Sequence, residues 1–90
     1  MQKEINNLEE KINVLEGKNI IILQDGFIES KYIIKNMKYK IENEILKILS
    51  KDTISFTKIN LNQIYKIEIK NEIIKLYLDN DTIINLYIEQ

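Results

Sequence analysis

The chain contains no histidine, cysteine, tryptophan, proline, arginine or alanine. Without His and Cys, the commonest general base, the thiolate nucleophile and the usual zinc ligands are missing. Absence of Cys also excludes a disulfide scaffold and gives no support for an oxidising compartment. Without Arg there is no bidentate clamp for phosphate or guanine, and every basic residue is Lys. Gly17 and Gly26 are the only glycines, too few for a phosphate-cradling loop. No apolar run approaches the roughly 20 residues that span a bilayer. The opening Met1-Gln2-Lys3-Glu4 leads into alternating charged and apolar residues rather than a signal peptide. These absences predict a cytoplasmic, non-catalytic protein with no cofactor and no metal.

What is present suffices for a core. The chain has 90 residues, 44% hydrophobic and 30% charged, with a net charge of −1, which predicts one compact domain over 1–90. Its 21 Ile and 11 Asn read as AT-rich coding and say little about mechanism.

Ile5, Leu8, Ile12 and Leu15 are spaced by three, four and three residues, which places them on one stripe of a helix over about 3–16. Gly17 follows where a helix end calls for positive φ. In heptad terms the two Ile occupy a and the two Leu d, a parallel two-stranded coiled-coil pattern. The stripe is therefore a candidate oligomerisation element, and its packing within the same domain is the competing reading.

The rest, about 19–88, reads mainly as strands. Asn19-Ile20-Ile21-Ile22-Leu23 precedes Gln24-Asp25-Gly26, a reverse-turn signal, and Phe27–Ile34 returns as the partner strand. Ile33, Met37, Ile41, Ile45 and Leu49 recur every four residues and also suit a helix over about 29–50. An internal comparison favours strands. Tyr39-Lys40-Ile41-Glu42 and Asn43-Glu44-Ile45 resemble Tyr65-Lys66-Ile67-Glu68 and Asn71-Glu72-Ile73, and Asp52-Thr53-Ile54 matches Asp81-Thr82-Ile83. This suggests a repeat, 37–57 and 64–88. In the second copy Ile74, Leu76, Leu78 and Ile84, Leu86, Ile88 alternate as strands around Asp79-Asn80-Asp81. The first copy then has strands near 37–42, 45–49 and 53–57, and 58–63 is the bend between the units. The predicted fold class is α+β, mainly β: an N-terminal helix followed by a small antiparallel β-barrel or bent sheet of about six to eight short strands.

In outline, the helix, the stretch Gly17-Lys18-Asn19-Ile20-Ile21-Ile22-Leu23-Gln24-Asp25-Gly26 and the bent strands resemble the small Sm-like barrels over residues 5–26. A second glycine in the following strand and a late glycine-containing RNA-binding motif, both typical of that family, are missing. Neither RNA binding nor ring assembly is carried over. Pleckstrin-homology-like sheets offer a similar fold-level analogy, and a fold does not fix a function.

Opposite the alternating core positions, the last two strands carry Ile73, Lys75, Tyr77 and Ile83, Asn85, Tyr87. A solvated face normally carries more charge. Ile73, Tyr77, Ile83 and Tyr87 are therefore the candidate protein-binding residues, unless the N-terminal helix covers them as a second layer of core. The competing function is a single-stranded nucleic-acid or nucleotide-binding barrel using Lys38, Tyr39, Lys40, Tyr65 and Lys66. Against it stand 14 acidic residues for 13 Lys. Asp52, Asp79 and Asp81 are the nearest thing to a carboxylate cluster, and turn chemistry accounts for them better than catalysis or calcium.

The resulting expectation is a protein-binding module, self-associating as a homo-oligomer, that occludes another protein stoichiometrically. Proteins of this kind are often carried by phages or mobile elements as inhibitors or adaptors. The alternatives are the nucleic-acid binder above and a purely structural self-assembly subunit.

Overall fold

The apolar stripe and the alternating strands assemble around one core. A computed structural model describes residues 2–54 and 56–89. Helix α1 spans Gln2–Leu15, and Gly17 ends it at φ 82°. The Gly17 N–H donates to the Met37 carbonyl at 2.8 Å, and the Lys18 ammonium donates to the Val14 carbonyl at 3.0 Å, satisfying an end-of-helix oxygen.

Eight antiparallel strands follow: β1 Ile20–Asp25, β2 Ser30–Ile34, β3 Met37–Glu42, β4 Ile45–Ser50, β5 Phe56–Asn60, β6 Ile64–Lys70, β7 Ile73–Leu78 and β8 Ile83–Ile88. One sheet has the order β2-β1-β8-β7-β6, the other β3-β4-β5. The chain passes between sheets at two corners. At the first, Asn36 has φ 52° and its N–H donates to Asn19 Oδ1 at 2.9 Å. At the second, a 3-10 turn over Leu61–Gln63 is capped by Asn60, whose side chain accepts from the Asn62 N–H.

The fold is mainly β, as predicted, with bent sheets rather than a barrel. The two corners rotate the chain out of one hydrogen-bonded ladder into the next, so β2, β6, β3 and β5 remain sheet edges. A groove of about 450 Å³ runs where Tyr32, Ile33 and Ile34 of β2 face Phe56, Thr57 and Lys58 of β5.

Residues 29–50 contain no helix. Tyr39 and Ile41 pack on the core beside buried Met37, while Lys38 and Lys40 are exposed, the two-residue period of a strand. Asn43 (φ 52°) and Glu44 (φ 63°) then reverse the chain tightly, as do Asn71 (φ 52°) and Glu72 (φ 67°). Positive φ at both central residues matches the right-handed twist of the flanking strands, and Asn tolerates it well. The four-residue recurrence in this stretch thus reflects residues on both sides of a hairpin. The expected strand at 53–57 begins later, at Phe56, and runs to Asn60, so Lys58–Asn60 belongs to β5 and the bend is confined to Leu61–Gln63. Ser55 lies outside the described residues.

Leu8, Ile12 and Leu15 enter the core with Ile20, Ile22, Ile34, Met37, Leu46, Ile48, Ile59, Leu61, Ile64, Ile74, Leu76, Leu78, Ile84 and Leu86. Leu8 and Ile12 are fully buried and Ile5 packs partly against this cluster. The stripe Ile5, Leu8, Ile12, Leu15 is therefore committed to the protein's own core and is not free to act as a coiled-coil seam. Fourteen helical residues gain more by closing a core than by a two-heptad zipper.

Candidate functional site: the outer face of the five-stranded sheet

Because side chains alternate along strands, burial of Ile20, Ile22, Ile74, Leu76, Leu78, Ile84 and Leu86 turns their neighbours outward. The registers set these neighbours in rows. Ile33, Ile21 and Tyr87 are direct partners across β2, β1 and β8, and Ile73 joins Ile21 and Tyr87 around a shallow hollow of about 310 Å³. The next row is Lys31, Leu23, Asn85, Lys75, Glu68, and the third is Asp25, Ile83, Tyr77, Lys66. Ile21, Tyr87 and Ile73 in the first row and Ile83 and Tyr77 in the third are thus two apolar bands, separated by the middle row, in which Leu23 stands among Lys31, Asn85, Lys75 and Glu68. Tyr and aliphatic side chains gathered among polar ones fit the mixed composition of a non-obligate protein interface.

Helix α1 packs against β3 and directs its apolar side into the core. It leaves the outer face of the five-stranded sheet uncovered, so Ile73, Tyr77, Ile83 and Tyr87 share one open surface. Ile73 is 37% exposed and Ile33 44% exposed, and the remaining members are half-buried against one another.

Tyr77 is the most constrained residue of the face. A bulge between Ile64 and Lys66 leaves Tyr65 without a direct cross-strand partner, and its exposed ring lies 6.2 Å from that of Tyr77 at 51°. The Lys66 ammonium lies 5.2 Å from the Tyr77 ring centroid. The Tyr77 hydroxyl donates a short hydrogen bond to Glu68 Oε1. That bond is the main reason the Tyr77 hydroxyl is raised above its ordinary 10.0, and it is also the main reason Glu68 is lowered below 4.5. An aromatic ring held in this way loses little freedom on binding.

The nucleic-acid constellation Lys38, Tyr39, Lys40, Tyr65, Lys66 is not brought together. Tyr39 points inward and its hydroxyl meets Glu9 at 3.4 Å and Asn13 at 3.5 Å on α1. Burial first, then the charges of Glu9 and Glu16, raises its pKa. Lys38 and Lys40 project from the other side of β3, and Tyr65 and Lys66 belong to the other sheet. The sequence spacing matched, but strand alternation and the corner at Leu61–Gln63 separate the parts. Asp81 takes φ 63° in the β7–β8 turn, where the Leu78 N–H donates to the Thr82 carbonyl at 2.8 Å.

Pattern reading missed Ile21, Leu23 and Ile33 as members of the face. Ile20–Leu23 is an unbroken apolar run, which does not reveal which side is outward. The ladder of β1 with β8 supplies that information. No family model matches the chain, and neither a curated protein nor a solved structure matches it.

Proposed function

We propose that this protein is a non-catalytic binding module that docks another protein on the outer face of its five-stranded sheet, acting by stoichiometric occlusion. The observation that carries the reading is the open cluster of apolar and aromatic side chains Ile21, Leu23, Ile73, Tyr77, Ile83 and Tyr87 across three central strands, interleaved with Asn85 and Lys75. Water contact with such a surface is unfavourable, and burying it against a partner releases that cost. Tyr77 and Tyr87 are the anchors, since Tyr combines a large rigid contact with a polar tip.

Affinity capture with the wild type and with a Tyr77→Lys, Tyr87→Lys double variant tests this reading. A partner retained stoichiometrically by the wild type should be lost from the variant, while the circular dichroism spectrum is preserved. Equal retention by both, or no stoichiometric partner, contradicts the reading. A homodimer lost in the same variant would replace the foreign partner by a second copy of the chain.

A further inference from the structure

The three-stranded sheet has its own outer face, built from Lys38, Lys40 and Glu42 on β3, Ile45, Lys47 and Leu49 on β4, and Phe56, Lys58 and Asn60 on β5. Its register places Lys40 directly opposite Lys47, and Lys47 directly opposite Lys58. Three like charges thus stand in one row at the strand spacing of about 4.8 Å, an arrangement that works against the sheet. The one carboxylate on the face, Glu42, bonds Lys40 at 3.0 Å. Among the described residues, no carboxylate forms a salt bridge with Lys47 or Lys58. Lys47 is moreover half-buried between its two neighbours. Four Lys and one Glu give this face a net +3, whereas the whole chain carries −1. The rest of the chain therefore carries a net negative charge, which favours this face over the average surface for a polyanion.

The row ends beside an aromatic. Phe56 is 55% exposed, with the Lys58 ammonium 5.8 Å from its ring centroid, and it borders the groove shared with Tyr32. Adjacent ammonium groups followed by exposed aromatic surface suit a chain of phosphates carrying unstacked bases. A duplex is less well served, because no helix projects into a groove and Arg is absent. We infer that the outer face of the three-stranded sheet binds single-stranded nucleic acid, with Lys40, Lys47 and Lys58 along the phosphates and Phe56 stacking on a base. This surface is separate from the proposed protein-docking face and stands or falls without it.

The test is fluorescence anisotropy of a labelled oligothymidylate of about a dozen nucleotides, titrated with the full chain between about 50 and 200 mM salt. Three neutralised phosphates give a log–log salt slope of about −2, and a Lys47→Gln, Lys58→Gln variant reduces it to about −0.7. That variant should bind at least tenfold more weakly at the lowest salt, with its fold preserved because it relieves repulsion. Phe56→Ala should weaken binding about tenfold and leave the slope unchanged. Lys66→Gln with Lys75→Gln, on the other sheet, should change neither. No binding at the lowest salt overturns the inference, as does an equal loss in the Lys66, Lys75 variant. Equal affinity and slope for polyglutamate, or binding only to phosphatidylserine vesicles, would assign the face to another class of anion and overturns it too.

Discussion

At the scale of single residues, two kinds of position carry most of the local argument. Glu72 sits at φ 67° in a tight turn where an L side chain costs roughly 1 kcal/mol and glycine costs little. Glu72→Gly should therefore raise stability by about 1 kcal/mol, read from the chemical-denaturation midpoint. Glu44 should gain less from the same change, because its side chain accepts a bond from Asn62. The second kind is the Tyr77–Glu68 pair. Tyr77 is raised, so its contribution is full below pH 10 and lost as pH rises through the higher folded value. Glu68 is lowered, so its contribution is full above pH 4.5 and lost as pH falls through the lower folded value. Tyr77→Phe should remove the alkaline dependence from a Tm-against-pH profile and weaken the acid one, which Lys66, Lys75 and Lys70 partly sustain, and the wild-type profile should show both. Neither turn strain nor this pair was legible in the sequence, because Asn-Glu is not a typical hairpin dipeptide and the Tyr65 bulge leaves no compositional trace.

At the scale of elements, the helix was legible from four spaced apolar residues and one glycine. Its role was not, since the same stripe serves a coiled coil or a core. Complete burial of Leu8 and Ile12 decides it. Leu8→Ala or Ile12→Ala should each cost about 2–5 kcal/mol in urea unfolding. A zipper role instead predicts loss of assembly at intact stability. Gly17→Ala should cost about 1–2 kcal/mol, since alanine meets no atom there but is strained at φ 82°. The strands were legible where alternation is strict, in β7 and β8, and where Asp25-Gly26 marks a turn. β5 was placed too early because the match of Asp52-Thr53-Ile54 to Asp81-Thr82-Ile83 and the exposed apolar Ile54 mimic a strand start, whereas the Asp52 and Thr53 N–H groups donate to Ser50 Oγ in a turn.

At the scale of the whole molecule, the two outer faces differ in chemistry because the corners at Asn36 and Leu61–Gln63 divide the strands between two sheets. The five-stranded face carries two apolar bands around a polar middle row, and the three-stranded face carries a row of three lysines. The first was half legible, since Tyr77 and Tyr87 alternate with core positions on adjacent strands. The second was not read from the sequence. Lys40, Lys47 and Lys58 are seven and eleven residues apart, and only the turn at Asn43-Glu44 and the β4–β5 register make them neighbours. Of the two expected arrangements, barrel or bent sheet, the barrel would have removed the edges, and the corners leave those edges beside a groove instead.

The central claim is that the five-stranded face is occupied by a partner in the protein's working state, and the absence of cysteine allows it to be tested directly. The Lys75→Cys variant places one thiol on that face, and the Glu10→Cys variant places one on the exposed side of the helix. Maleimide labelling of each is compared between the purified protein and the protein in native extract. Fast labelling of both is expected when pure, with protection in extract only at position 75. Equal labelling at both positions in both states would contradict it.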